Sequence, residues 1–162
     1  MRKSMAGKQF LCGAAVVALG SWLMMSGLSQ ALAAPRKSDS VVKINATASR
    51  PTANGQQVVM IYLTIDPGWH LYANPVGHED MEEMQTTLTV KNAPAQVYYP
   101  PGKMYKDKRI DAEFRIYEGK VTIQAVVQRA AGSSQPLELF LKMNACDDEK
   151  CLLPATVKVT VP

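Results

Sequence analysis

Two cysteines, Cys146 and Cys151, stand five positions apart near the end of the chain, and between them lie the four residues Asp147, Asp148, Glu149 and Lys150. Cysteines this close can be bridged only across a tight turn that brings their Cα atoms within the range a disulfide tolerates. Two kinds of chemistry fit. One is a structural staple. The other is thiol–disulfide exchange, in which a partner's thiolate attacks the bridge and a mixed disulfide forms. So short a loop gives a staple only about 2 kcal/mol on the loop-entropy model. A bridge in a hairpin-like corner is also reachable by a partner. The acidic neighbours disfavour a thiolate and so raise the thiol pKa, with Lys150 offsetting part of this. Such a pair suits being attacked, or reacting when docked, better than acting as a free nucleophile.

Other groups are less specific. His78, Met81 and Met84 form an H-x-x-M-x-x-M run of soft ligands, an alternative copper(I) site if a helix places them on one side. The plain reading is a short acidic segment whose methionines pack on the domain. Zinc needs more ligands than the two cysteines and the only histidines, His70 and His78, readily supply. No Ser/His/Asp set, phosphate loop or persuasive carboxylate pair points to a hydrolase, and no cofactor is expected.

The elements that must position the cysteines read as strands. Apolar residues alternate with period two through Val42–Ala48, Val59–Ile65, Leu88–Val90, Val97–Tyr99, Phe114–Ile116, Val121–Ala125, Leu137–Met143 and Val157–Val161. Turn residues separate them at Asp66-Pro67-Gly68, Pro100-Pro101-Gly102, Glu118-Gly119 and Gly132-Ser133-Ser134. Glu118-Gly119 reads as a tight hairpin. The only helical candidate is weak, around residues 78–85. Seven to nine short strands predict an all-β, immunoglobulin-like β-sandwich. Cys146 follows one strand and Cys151 precedes the last.

The chain has 162 residues, 47% hydrophobic and 20% charged, as expected for one globular domain plus a short extra segment. Of its 18 basic residues, Arg2, Lys3 and Lys8 fall in the first 33, which hold no acid; the remainder has 15 basic and 14 acidic side chains. A net of +1 leaves no basic face for nucleic acid. The basic start, the apolar run Phe10–Met25 and the ending Ala31-Leu32-Ala33 have the layout of a signal peptide, residues 1–33, with cleavage after Ala33. Cys12 leaves with it. Residues 34–40 read as a polar linker and 41–162 as the domain. No later run is long and apolar enough to span a membrane. The expectation is an exported domain, periplasmic or secreted, in a compartment where disulfides form.

Gly68-Trp69-His70-Leu71-Tyr72, the Pro-Pro-Gly loop, the Phe114–Ile123 stretch and the corner Cys146…Cys151-x-x-Pro154 come in an order that resembles the N-terminal periplasmic domain of the DsbD thiol:disulfide interchange family. The resemblance implies a redox-active pair, Cys146 and Cys151, on a β-hairpin. It also implies aromatic neighbours at the positions of His70 and Tyr72. Electrons would pass between thioredoxin-like partners and other periplasmic oxidoreductases. The loop between the cysteines is one residue shorter than in familiar members. The family's shielding cap falls on Gly102–Arg109, where Met104 and Tyr105 are the candidates. The family's membrane and C-terminal thioredoxin-like domains are not in this sequence, so a separate membrane electron source is expected. The alternatives are a copper(I)-binding protein and a non-redox interaction module with a structural disulfide.

Overall fold

The computed structural model describes residues 35–130, 133 and 135–162. The expected signal segment and cleavage site, Cys12, and Gly132 and Ser134 of the expected turn lie outside them. None of the described helices is long and apolar enough to cross a membrane.

The described residues form eleven strands: β1 Val42–Ala48, β2 Gln56–Ile65, β3 His70–Tyr72, β4 Thr87–Lys91, β5 Ala95–Tyr98, β6 Lys103–Asp107, β7 Ala112–Tyr117, β8 Lys120–Gln128, β9 Leu137–Met143, β10 Ala145–Cys146 and β11 Ala155–Val161. They make three antiparallel sheets, ordered β1-β2-β8-β5, β11-β9-β4 and β10-β3-β7-β6. The all-β, immunoglobulin-like sandwich expected from the alternation is therefore present.

The long strands follow directly from their patterns. Val59, Ile61, Leu63 and Ile65 of β2 point inward, as do Val121, Ile123, Ala125 and Val127 of β8 and Leu137, Leu139, Leu141 and Met143 of β9. These inward faces join in one core cluster, with β2–β8 and β9 contributing from separate sheets. A strand with one buried face has its register fixed, because a one-residue slip would send every apolar side chain outward.

Four expectations change. The strand count exceeds seven to nine because β3 and β10 have only three and two residues, too few for alternation to register. Segment 103–107, read as part of a loop, is β6, which pairs with β7. Glu118-Gly119 is not a hairpin. β7 pairs with β3 and β6 while β8 pairs with β2 and β5, so these two residues turn a corner between sheets, with Gly119 at φ +63°. The helical candidate is a 3-10 turn, Glu79–Met84.

Residues read as linker are also built into the domain. Ser38 begins a 3-10 turn and is fully buried, and Lys37 forms a parallel bridge with Leu153.

Candidate functional site

The third sheet carries the cysteines. β10 ends at Cys146, and the chain turns through residues 147–150 and returns at Cys151. The two cysteines face each other as an antiparallel bridge, Cα atoms 4.0 Å apart, and are joined as a disulfide. This is near the spacing of a non-hydrogen-bonded cross-strand pair, about 4.5 Å, where side chains stand closest. Rungs on either side hold the hairpin: Leu152 N–H donates to the Ala145 carbonyl and Asp147 N–H to that of Lys150, both at 2.9 Å.

Asp147 shapes the turn. Its Oδ1 accepts from the N–H groups of Glu149 at 2.8 Å and Lys150 at 2.7 Å. These donors favour the ionised carboxylate and hold its pKa below the usual aspartate value. The acidic residues between the cysteines therefore do different work: Asp147 folds the loop, while Asp148 and Glu149 are exposed.

The two sulfurs sit in different surroundings. Cys146 is 1% exposed and belongs to a small cluster with Tyr72, Val76, Phe114 and Ile116, whereas Cys151 is exposed. Cross-strand partners share a sheet face. His70 on β3 lies opposite Cys146, which lies opposite Cys151, so the three side chains stand in a row. Tyr72, two residues after His70, is on the same face. Its hydroxyl donates to Cys146 Sγ at 3.6 Å.

β6 and β7 extend this face. Tyr105 lies opposite Phe114, and Tyr72 opposite Ile116. The Tyr72 ring stacks on Phe114 at 5.2 Å, and Tyr105 packs on Phe114 at 5.6 Å and on His70 at 4.9 Å. The Tyr105 hydroxyl donates to Asp148 Oδ1 at 3.0 Å, joining β6 to the loop between the cysteines. Of the two cap candidates, Tyr105 is thus on the disulfide's face and bound to its loop. Met104 alternates to the opposite face, pairs with Arg115 and is 55% exposed.

Burial sets the electrostatics. It pushes the His70 pKa below the ordinary histidine value, against the opposing pull of Glu118, Asp148 and Asp107. It raises Tyr72, so this phenol keeps its proton. Desolvation, reinforced by the bond to Asp148, raises Tyr105. Beyond Tyr105, buried Asp107 is paired with Arg109, whose guanidinium holds the carboxyl below its usual range.

The other sequence candidates fall elsewhere. Pro154 is exposed at the start of the β11 approach, just past the Lys37–Leu153 bridge. Met81 and Met84 are partly buried and pack against the Tyr72–Phe114 cluster, and His78 precedes their 3-10 turn with Nδ1 buried and unpartnered. Among the described residues no group of three or more His, Cys, Asp or Glu side chains is arranged to hold a metal.

Sequence reasoning missed two groups. Asp147 has an identifiable signal, since an aspartate opening a turn bonds to the backbone two residues on. Ser38 has none, because its partners lie over a hundred residues away.

A comparison with curated protein sequences finds no match. Among solved structures, the chain is similar to the Neisseria meningitidis DsbD N-terminal domain in the reduced form. Identity is 14%, the TM-score 0.52, and the match covers 75% of this chain and 84% of that one. It is also similar to the N-terminal periplasmic domain of ScsB from Proteus mirabilis. There identity is 13%, the TM-score 0.57, and coverage 74% of this chain and 44% of the other. At these identities the likeness is one of fold. Residues 38–162 match the family model for the N-terminal region of the thiol:disulfide interchange protein DsbD, and the chain belongs to that family.

Proposed function

We propose that this domain is a periplasmic electron relay, exchanging disulfides with thioredoxin-like partners through Cys146 and Cys151. The observation that carries the reading is the asymmetry of the bridge in a chain of this family: one sulfur is buried and hydrogen-bonded, the other exposed.

Each step follows from that asymmetry. A partner thiolate attacks Cys151 Sγ. The Cys146–Cys151 bond breaks, a Cys151–partner disulfide forms, and the electron pair leaves on Cys146 Sγ. The Tyr72 hydroxyl stabilises that thiolate, which takes a proton from solvent. The partner's second thiolate then attacks its own bridged sulfur and releases Cys151. The partner ends oxidised and this domain reduced, with two electrons transferred. Passing them on reverses the sequence: Cys151 attacks the next disulfide and Cys146 resolves it. His70 and Tyr105 cover the buried half of the bridge, and the Tyr105–Asp148 hydrogen bond keeps that cover closed, so that small thiols are kept from Cys146 Sγ.

The same geometry favours this reading over copper binding. Met81 and Met84 are engaged in packing on the aromatic cluster.

Trapping tests it. Cys146→Ser should accumulate a mixed disulfide with a thioredoxin-like partner, whereas Cys151→Ser should form none. The reverse pattern would overturn the assignment. Equilibration of the wild type with glutathione should give a potential of roughly −120 to −270 mV, where exchange proteins lie; a value below about −300 mV would mark a structural bridge.

A further inference from the structure

The two arms of the cysteine hairpin are joined a second time, by a side chain more than a hundred residues away in the sequence. Ser38 is 0% exposed. Its Oγ accepts from the Ala145 N–H at 2.9 Å and donates to the Leu153 carbonyl at 2.8 Å. Ala145 directly precedes Cys146, and Leu153 follows Cys151 by two residues. The inner rung of the hairpin, Leu152 N–H to the Ala145 carbonyl, is a direct backbone bond. At the next position the arms are bridged through the serine hydroxyl. Ser38 is itself fixed. Its N–H donates to the Leu153 carbonyl at 2.8 Å, and the Leu153 N–H donates to the Arg36 carbonyl at 3.2 Å.

We propose that Ser38 is a positioning residue for exchange: its hydroxyl holds the hairpin arms together when the disulfide is open, and so sets the reduction potential. The inference rests on the exchange reading above. In the oxidised domain the S–S bond and the hydroxyl both tie the arms. Once the bond is broken, the inner rung, the Asp147 turn and Ser38 remain, and the thiols stay within bonding distance. Ring closure is then an intramolecular step between groups already in place, which raises their effective concentration. Without the hydroxyl, the oxidised arms are still held covalently but the reduced arms gain freedom. That freedom favours the dithiol and makes the potential less negative.

The test is the redox equilibrium of Ser38→Ala in the full chain. Protein disulfide plus two glutathione thiols gives protein dithiol plus glutathione disulfide, read by thiol trapping, with far-UV circular dichroism confirming the fold. The expected result is a roughly tenfold lower effective concentration of the pair, equivalent to about 30 mV toward less negative values. A folded variant with an unmoved potential would overturn this proposal alone. A wild-type potential below about −300 mV would instead overturn the exchange reading, and this one with it. A second measurement needs no variant: amide hydrogen exchange at Ala145 in the wild type. The proposal requires that amide to stay protected after reduction. Exchange as fast as at the amide of Asp148, in the exposed turn of the reduced domain, would overturn it even if Ser38→Ala failed to fold.

Discussion

Replacing Tyr72 by phenylalanine isolates one atom of the site. The ring, and its stacking at 5.2 Å on Phe114, should remain; the hydroxyl that donates to Cys146 Sγ is lost. Burial raises the Tyr72 pKa, so in the wild type the donor keeps its proton across the working range. A hydrogen bond to a charged group contributes about 1.5–3 kcal/mol. A 3.6 Å contact to sulfur belongs at the lower end, and 1.36 kcal/mol corresponds to one pKa unit. The Cys146 thiol of reduced Tyr72→Phe should therefore titrate about one unit higher than in the wild type. A poorer leaving thiolate should slow reduction of the disulfide by roughly threefold to tenfold, according to how much charge has reached sulfur in the transition state. The assay is pseudo-first-order reduction by a small dithiol, followed by thiol trapping across pH, with alkylation rates giving the thiol pKa. An unchanged rate together with an unmoved Cys146 pKa would refute the leaving-group argument. A faster reaction would mean that the hydroxyl serves as a shield instead.

Tyr105→Phe should speed reduction by small thiols roughly twofold to tenfold, the range for losing one hydrogen bond that holds the cover closed. Met104→Ala, on the opposite face, should leave the rate unchanged in the same assay. Because the folded His70 pKa lies below its unfolded value of 6.5, the unfolded chain binds the extra proton first as pH falls. Stability should thus decline as pH drops through 6.5 toward the folded pKa, and His70→Gln should flatten that part of a Tm-against-pH curve. At the far end of β8, buried Arg129 donates to Gln57 Oε1 and to the Gln135 carbonyl. Arg129→Met leaves the buried Gln57 Oε1 without its donor and should cost about 1–3 kcal/mol. The exchange rate should be unaffected. Replacing both cysteines by serine should leave the fold intact, with a stability loss near 2 kcal/mol for so short a loop.

What could be read in advance follows strand length. β2, β8 and β9 run for seven to ten residues, long enough for Val59–Ile65, Val121–Ala125 and Leu137–Met143 to declare an inward face. β6 did not declare itself, because Lys103–Asp107 leaves only its last residue buried and looks like a polar loop. β3 is buried at all three positions, so it does not alternate. The cysteines and their turn were legible because their contacts are local. His70 and Tyr72 were reachable through resemblance, since the register that sets them beside Cys146 spans more than seventy residues. Tyr105 had equal standing with Met104 until β6 decided which of two neighbours faced the disulfide. Ser38 was invisible for a plain reason: a serine in a polar stretch has no property that distinguishes a buried bridge from a solvated linker.

The separation of the small cluster around Cys146 from the large core between the main sheets has a consequence for how such a protein can vary. Tyr72, Val76, Phe114, Ile116 and Cys146 pack together apart from the cluster that contains Ile61, Ile123, Leu139 and Leu141. A change of volume or polarity in the first group alters the setting of a sulfur without opening a void among the residues that give the sandwich most of its buried apolar area. The potential of the bridge and the stability of its scaffold are thus governed largely by different residues. A lineage, or a designer, can retune the first while leaving the second nearly untouched.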